Sequence, residues 1–280
     1  MLVDTHCHLN FKDFNSDRDE IIGRCLDPSN PSGQVWLINI GVNYKTSQEV
    51  IEIAQKYEKG VYATVALHPH DVTGYEEREK EEFDYDRFLK LAKNKKVVAI
   101  GETGLDYEFC ENDEKAQKLQ QEVFIKHLKL AKEVNKPVVI HSRRTFPEIL
   151  SIIQNSKFLP RRQAGKIQNS APGVLHCYMG RWSYAEEYLK LGFYISFTGL
   201  ITYARDYDKV IKNTSLDRIL IETDCPYLAP ESIRKQGEII RNTPENVKYI
   251  AEKIAEIKGV SFDEVAKQTT QNAKELFGLD

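Results

Sequence analysis

Two histidines near the start of the chain, His6 and His8, have the residue type and the spacing to bind a metal ion. They lie in Leu2–Leu9, a segment apolar enough to form a strand. Successive side chains of a strand point to opposite faces, so both imidazoles would lie on one face and Cys7 on the other. Such a pair can hold one cation, but it can also be two polar side chains that merely share a face.

Further groups that can bind metals stand where other strand-like segments end. They are His68, His70, Glu102, His141, His176 and Asp224. Burying such groups without partners would be costly, so a metal centre is the simplest explanation for their shared position. Four imidazoles and two carboxylates can hold two divalent cations if one carboxylate bridges them. Such a centre activates water and polarises a phosphoryl or carbonyl oxygen.

Eight apolar, β-branched segments would have to position these groups. The predicted strands are Leu2–His8, Val35–Val42, Val61–His68, Val97–Thr103, Pro137–Ser142, Val174–Tyr178, Phe193–Thr198 and Ile219–Asp224. Their near-continuous apolar character is typical of parallel strands that are buried on both faces.

Segments with helical spacing separate the strands. The predicted helices are Ser47–Glu58, Asp84–Asn94, Glu114–Asn135, Phe146–Gln154, Ser183–Leu191, Asp206–Lys212, one that begins at Pro244 with Thr243 as its cap, and one from Ser261 to Leu276. His127, inside the third of these, is interpreted as a surface or packing residue. The alternation predicts an α/β fold, either a (β/α)₈ TIM barrel or a doubly wound sheet. Ionisable groups at the ends of many strands favour the barrel, with residues 1–280 as one domain.

Within a barrel, the candidate ligands divide into two sites that share Glu102 as a bridge. His6, His8 and Asp224 would complete one site, since the first and last strands are neighbours in a closed barrel. His141 and His176 would complete the other. Ligation rich in imidazole favours transition metals, so the predicted cofactors are two divalent ions of Zn, Mn or Mg.

Composition bounds the compartment and the partners. Hydrophobic residues make up 41% and charged residues 29% of the 280 residues, as in ordinary globular proteins. No run approaches the ~18 apolar residues of a membrane span, and the first residues form a strand rather than a secretory signal. The five scattered cysteines indicate no disulfide framework, so a cytoplasmic location is predicted, or a nuclear one in a eukaryote. The net charge of −3 means that any polyanion must be held locally.

Six motifs, in chain order, resemble those of the TatD-type metal-dependent deoxyribonucleases. They are His6-Cys-His8, Ala66-Leu-His-Pro-His70, Gly101-Glu-Thr-Gly-Leu-Asp-Tyr107, His141-Ser-Arg143, His176-Cys-Tyr178 and Glu222-Thr-Asp-Cys-Pro-Tyr-Leu-Ala-Pro230. The resemblance extends to Phe277. It implies a barrel of the metal-dependent hydrolase type, hydrolysis of DNA phosphodiesters, commonly from the 3′ end, and the ligand set proposed above. The sequence departs from the family pattern at Arg144, Met179 and Thr243, which bears on substrate preference rather than on the chemistry.

Individual roles follow from position. Asp224 is predicted to be both a ligand and the general base, with Glu102 as the bridging catalytic carboxylate. His68 would contact a phosphate oxygen or the leaving group, or else orient the His-Pro-His turn. Arg143 would bind a phosphate. Asp106 would tether a ligand or a loop.

Charge on the loops after the strands predicts the path of the substrate. Acidic residues follow strands three and four: Asp71, the run Glu76–Asp86, Glu108, Glu111 and Asp113. Basic residues follow strands five to eight: Arg143, Arg144, Arg181, Arg205, Arg234, Lys235 and Arg241. A DNA strand is therefore expected over the basic half, with Arg181 among its contacts. Tyr178, Trp182 and Tyr203 would stack on bases or pack locally. Arg161, Arg162 and Lys166 follow a helix and are interpreted as a solvated insertion on the opposite face.

The predicted function is a monomeric deoxyribonuclease that removes nucleotides from single-stranded DNA in the 3′–5′ direction. One alternative is a hydrolase of the same architecture that cleaves a small ester, an amide or an aminoacyl-tRNA bond. A second alternative is a non-catalytic nucleic-acid-binding barrel. That class would be expected to have lost ligands, whereas all six are present here.

Overall fold

The eight apolar segments form one sheet of parallel strands, in which each strand pairs with the next along the chain. The computed structural model describes residues 1–30, 33–75, 79–156, 158, 172–234 and 240–280. The strands are β1 (Leu2–Cys7), β2 (Val35–Ile40), β3 (Val61–Val65), β4 (Val97–Asp106), β5 (Val138–Arg143), β6 (Gly173–Leu175), β7 (Tyr194–Phe197) and β8 (Ile219–Ile221). Cys7 also pairs with Cys225, which brings the chain after β8 beside β1. The predicted (β/α)₈ barrel is confirmed, and the sequential strand order excludes the doubly wound sheet.

Helices follow the strands and cover the outside of the barrel. In the described part of the chain they are α1 (Arg18–Leu26), α2 (Tyr44–Gln55), α3 (Pro69–Thr73), α4 (Tyr85–Ala92), α5 (Glu114–Val134), α6 (Phe146–Asn155), α7 (Trp182–Lys190), α8 (Asp208–Asn213), α9 (Val247–Lys258) and α10 (Phe262–Phe277). Helices α1 and α3 have no counterpart in the sequence prediction. Thr243 occupies the N-cap position and Pro244 the first position, as predicted, but of a 3₁₀ turn, Pro244–Asn246, that leads into α9. The Thr243 side chain does not cap that turn; its hydroxyl accepts a hydrogen bond from the Asn246 side chain.

Helix α5 shows how the sequence sets an element and its packing. The Asp113 side chain accepts a hydrogen bond from the backbone N–H of Ala116 and so caps the helix, which ends where Asn135 adopts a left-handed conformation. Between these ends, Val123, Phe124 and Leu128 recur with helical spacing and are buried. Full burial of such a side chain contributes about 1.5–3 kcal/mol, which holds the helix on the barrel.

Strand β4 is longer than predicted, and Glu102 lies inside it rather than near its end. The pairing between β4 and β5 shifts register between Ile100 and Thr103, and it then resumes as far as Asp106. At Gly104 the two strands are so close that a Cβ would lie 2.0 Å from the carbonyl oxygen of His141. Because only glycine fits there, β4 can continue past Glu102 and present Asp106 at the mouth of the barrel.

Strands β1, β3, β6 and β8 end before the residues that the sequence prediction placed on them. His8, His68, His176 and Asp224 therefore lie in the loops that follow these strands. All of them face the same end of the barrel, where the carboxyl ends of the parallel strands meet. Within the described ranges, no helix is both long enough and apolar enough to cross a lipid bilayer.

Candidate metal centre

The six predicted ligands lie together at the carboxyl end of the barrel. Two links across β1 and β8 place the first of them: the backbone N–H of Asp224 donates to the carbonyl of His6, and that of His8 donates to the carbonyl of Cys225. The Asp224 backbone is left-handed, with φ of 54°. Non-glycine residues adopt this conformation only where the surroundings hold them, and such residues cluster at functional sites.

His6, His8 and Asp224 form one group of potential ligands. The Nε2 atoms of the two histidines are 3.2 Å apart. Asp224 Oδ1 lies 3.3 Å from Nε2 of His8 and 3.7 Å from Nε2 of His6. As expected from strand geometry, both imidazoles point to one face, while the Cys7 side chain points away and donates to the Ile38 carbonyl.

Glu102 is the centre of the arrangement, because its two oxygens face different histidines. Oε2 lies 3.4 Å from His6 Nε2. Oε1 lies 2.9 Å from His141 Nδ1, 3.5 Å from His68 Nε2 and 3.6 Å from His176 Nε2. One buried carboxylate therefore contacts His6 on β1, His141 on β5 and the histidines that follow β3 and β6.

The remaining histidines group differently from the sequence hypothesis. His68, Glu102 and His141 form one set of potential ligands, and His6, Glu102 and His176 form another. His141 and His176, which the hypothesis assigns to one site, thus both contact Glu102 but fall into different groups, His141 with His68 and His176 with His6. His68, placed outside the metal ligands by the hypothesis, lies as close to Glu102 as His176 does.

Two buried carboxylates stand behind the histidines and orient them. Asp106 Oδ2 lies 2.9 Å from Nε2 of both His70 and His141. Glu222 Oε1 lies 2.9 Å from Nδ1 of His176 and also accepts the backbone N–H of Cys177. Carboxylates in this position fix the orientation of an imidazole and raise its basicity. The tethering role considered for Asp106 matches this geometry, whereas the sequence reasoning assigned no role to Glu222.

The carboxylates also set the charge of the histidines. Burial alone would lower the pKa of His141, but hydrogen bonds to Asp106 and Glu102 raise it to about 9. Burial likewise opposes protonation of His176, yet the charges of Glu222 and Glu102 raise its pKa to about 10. At His68 burial prevails and lowers the pKa to about 3. The neighbouring carboxylates thus favour a positive charge on His141 and His176, whereas burial favours the neutral form of His68.

The donor set fits divalent cations. Burial opposes ionisation of the four carboxylates Glu102, Asp106, Glu222 and Asp224, but the neighbouring imidazoles lower the pKa of each. The ring nitrogens of His6 and His8 converge on each other and on Asp224, and their Nδ1 atoms have no hydrogen-bond partner within the described residues. Imidazole nitrogens and carboxylate oxygens that converge without complementary donors are the ligands of Zn, Mn and related ions.

The aromatic residues in the loops around the cluster only partly match the prediction that they stack on bases of the substrate. Tyr178 is buried and donates its hydroxyl to the carbonyl of Arg181, so it is a packing residue and offers no face to a base. Tyr203 lies under the guanidinium of Arg234, 4.3 Å from its ring centre. Trp182 begins α7 and is partly buried against the core.

The predicted division of the rim into an acidic and a basic half is only partial. Arg144 forms ion pairs with Glu108 at 3.5 Å and Glu111 at 3.2 Å, so the basic loop after β5 contacts the acidic loop after β4. Arg241 pairs with Asp17. Arg181, in contrast, is exposed and has no carboxylate within ion-pair distance in the described part of the chain. Arg143 is half-exposed and lies 5.4 Å from the centre of the Phe109 ring.

Other sequence interpretations concern residues away from the cluster. His127 is fully buried, where its ring contacts Thr103 and accepts the backbone N–H of Leu67, so it is a packing residue rather than a surface one. The candidate insertion with Arg161, Arg162 and Lys166 lies outside the described residues, as do Lys235 and residues 76–78 of the acidic run.

Comparison with known proteins agrees with this geometry. The family described as TatD related DNase matches residues 3–278. The chain is 36% identical to the uncharacterised metal-dependent hydrolase YabD of Bacillus subtilis (strain 168), over 100% of both proteins. It is 32% identical to the deoxyribonuclease TATDN3 of Homo sapiens, over 99% of this chain and 94% of that protein. The crystal structure of YjjV, a TatD homologue from Escherichia coli K12, superposes with a TM-score of 0.81 at 29% identity, over 100% of this chain and 98% of that one. The chain therefore belongs to the TatD-related DNase family of metal-dependent hydrolases, enzymes that cleave ester bonds.

Proposed function

We propose that this enzyme is a deoxyribonuclease that uses two divalent cations to remove nucleotides from the 3′ end of single-stranded DNA. The observation that carries the proposal is the position of Glu102, whose two oxygens contact histidines on opposite sides of the cluster. His6, His8 and Asp224 would hold one ion, and His68, His141 and His176, which all lie within 3.6 Å of Glu102 Oε1, would supply the ligands of the other. When bound, the ions supply a Lewis acid for the phosphoryl oxygens and lower the pKa of water.

Asp224 is suited to accept the proton of the attacking water. Burial would raise its pKa, but the hydrogen bond from His8 and the charge of His176 lower it, so the carboxylate is ionised at neutral pH. Its side chain is 17% exposed, as is that of His141, whereas His6 is fully enclosed. Asp224 Oδ1 therefore stands at the boundary between the cluster and solvent, where both water and a phosphodiester can reach it.

The histidines keep their orientation through the residues behind them. Asp106 holds His141 by Nε2, so Nδ1 faces Glu102, and Glu222 holds His176 by Nδ1, so Nε2 faces Glu102. This arrangement fixes which ring nitrogen each histidine presents to the cluster. A group fixed in advance needs no reorganisation during the reaction.

Cleavage of end-labelled oligonucleotides tests the proposal. Single- and double-stranded DNA labelled at the 5′ end would be incubated with Mg, Mn, Zn or EDTA, and the products separated by size. We expect a ladder of successively shorter labelled products from single-stranded DNA with at least one of the metals, and none with EDTA. Strands labelled at the 3′ end should release the label as a mononucleotide at once.

Other outcomes would redirect the assignment. If the labelled products came from cuts inside the strand, the enzyme would be an endonuclease rather than an exonuclease. An absence of products with every metal, together with metal-dependent cleavage of 4-nitrophenyl acetate, would favour the small-ester hydrolase over the nuclease.

Arg181 is expected to bind a phosphate of the DNA. It lines a groove with Arg143 and the exposed Met179, between the loops that follow β5 and β6. Since a charge-assisted hydrogen bond contributes about 1.5–3 kcal/mol, Arg181→Ala should raise KM for DNA about tenfold or more. It should also reduce by about one the slope of log affinity against log salt concentration.

Arg218→Ala serves as the control for this prediction, because Arg218 precedes β8 at the opposite end of the barrel and stacks on Tyr194. We expect an unchanged KM and salt slope for that variant. If Arg181→Ala behaved as Arg218→Ala does, the DNA would have to follow a different path across the rim.

A further inference from the structure

A second groove lies beside the metal centre, where Phe11 contacts the His8 ring. Its walls are the loop between β1 and α1, one side of α2 along its whole length, and the loop after β8. Asn10, Phe11 and Tyr227 line it where it meets the cluster. None of these three residues has a role in the candidate metal centre.

Two aromatic rings extend the cluster into this groove. Phe11 stacks on the imidazole of His8, with ring centres 4.6 Å apart and planes inclined by 17°. Tyr227 meets Phe11 edge-on at 6.4 Å. The Tyr227 side chain is 54% exposed, unusually high for a large aromatic residue next to a buried site. Aromatic rings of this kind serve as platforms on which single-stranded bases stack.

Both rings are fixed relative to the proposed ligands. The backbone N–H of Phe11 donates to the carbonyl of His8, and that of Tyr227 donates to the carbonyl of Asp224, each at 3.0 Å. The loop that carries Phe11 is held by a hydrogen bond from the Leu9 N–H to Asn39 Oδ1 and by Arg18, whose guanidinium donates to the Leu9 carbonyl. A base stacked here would therefore stand at a constant distance from a phosphate at the cluster.

Asn10 supplies an independent indication of a ligand. The residue is only 8% exposed and both polar atoms of its side chain are enclosed, yet within the described residues neither Oδ1 nor Nδ2 has a hydrogen-bond partner. Buried amides are almost always hydrogen-bonded, so an orphaned one at the wall of a groove calls for a partner with an adjacent donor and acceptor. The edge of a nucleobase has this pattern, and asparagine is a common bidentate partner of adenine.

The charge of the groove favours a base over a row of phosphates. Four cationic and three acidic side chains line it, so it is nearly neutral. Several of the cations are also engaged: Arg18 with backbone carbonyls, and Lys56 with Asp19 at 3.6 Å. The groove lined by Arg143, Met179 and Arg181, in contrast, offers the guanidinium of Arg181, which has no carboxylate within ion-pair distance among the described residues.

We propose that this groove binds one nucleobase of the single-stranded substrate, next to the phosphodiester at the cluster. Phe11 and Tyr227 form the stacking surface, and the Asn10 amide, which is enclosed in the structure, turns into the groove to pair with the edge of the base. The inference rests on the proposed nuclease function and adds the route of the DNA strand. One base would lie in the groove near β1 and β8, and the phosphates would extend toward Arg181.

Binding of oligonucleotides that each lack one base would test the groove. Fluorescence anisotropy in EDTA measures affinity without cleavage, and an abasic position removes a base while it keeps every phosphate. For the unmodified protein we expect one position at which loss of the base weakens binding about tenfold. Tyr227→Ala and Asn10→Ala should each bind the intact strand more weakly and lose this dependence on the base.

Phe262→Ala is the matched control. Phe262 is also an exposed aromatic residue, but it begins α10, whose later residues Thr270 and Asn272 donate to Met1 and Ile219 at the opposite end of the barrel. This variant should retain the sensitive position. Because Tyr227 is exposed, its replacement tests the groove even if Asn10→Ala fails to fold.

The outcomes separate the groove from the nuclease function. If loss of a base has the same effect on binding at every position, the groove is overturned even when the enzyme cleaves DNA. The same holds if the sensitive position persists in both Tyr227→Ala and Asn10→Ala. A sensitive position that both variants erase, without cleavage under any metal, keeps the groove as a nucleobase site and overturns the nuclease function. Failure of the unmodified protein to bind the oligonucleotide both in EDTA and with Mn present overturns both.

Discussion

Replacing Asp224 with Asn is expected to lower kcat for DNA cleavage roughly 10²–10⁴-fold, the usual contribution of a general base. The Asn side chain keeps an oxygen at the position of Oδ1, next to His6 and His8. It cannot accept the proton of the attacking water at neutral pH. DNA binding, measured by anisotropy in EDTA, should change less than about threefold, because phosphate contacts on the rim determine it.

Asp217→Asn is the control for this prediction. Asp217 is exposed in the turn before β8, so the same chemical change is made at the opposite end of one strand. That variant should cleave DNA as the unmodified enzyme does. Near-normal turnover in Asp224→Asn would mean that another group accepts the proton. A loss of bound metal equal to the loss of kcat would show that Asp224 acts only as a ligand.

The barrel could be predicted from the sequence because its strands are short apolar runs and its helices are amphipathic. The elements that were missed have weak patterns. Helix α1 has charged residues at four of its nine positions, and it is recognisable only by its buried Ile21, Ile22 and Cys25. Helix α3 is five residues long and begins at Pro69, where the His-Pro-His motif indicated only a turn. The extension of β4 depends on a change of register with β5, which no local pattern encodes.

Candidate ligands could be found from their types and their positions after strands, but their mutual contacts could not. The short distance between His68 and Glu102 depends on the course of the loop after β3 relative to β4. A signal for Glu222 did exist: it precedes Asp224 by two residues, a spacing that places both side chains on one face. Ion pairs such as Arg144 with Glu111 join loops that are 33 residues apart, so a count of charges along the chain could not place them.

Replacing Glu102 with Gln is expected to remove at least one of the two cations and to reduce turnover by more than the 10–100-fold typical of changes behind the ligands. The carboxylate is the one group that contacts His6 through one oxygen and His68, His141 and His176 through the other. A neutral amide has only one oxygen and would direct an N–H₂ group toward one set of imidazoles. Metal content per chain, measured by elemental analysis after dialysis against Mn, and kcat for DNA should therefore fall together.

Glu222→Gln serves as a comparison from which a smaller effect is expected. Glu222 is also a buried carboxylate, but among the described residues its Oε1 contacts the ring of His176 and the backbone N–H of Cys177. It should weaken metal affinity about 10–100-fold and leave two cations bound when Mn is in excess. Thermal melting of both variants, with and without Mn, separates loss of metal from loss of folding. Mn should raise the melting temperature of Glu222→Gln, and it should raise that of Glu102→Gln by a smaller amount. If Glu102→Gln retained two ions at full occupancy and normal turnover, the two cations would not share this carboxylate. The contacts of the histidines with Glu102 would then reflect only attraction between opposite charges.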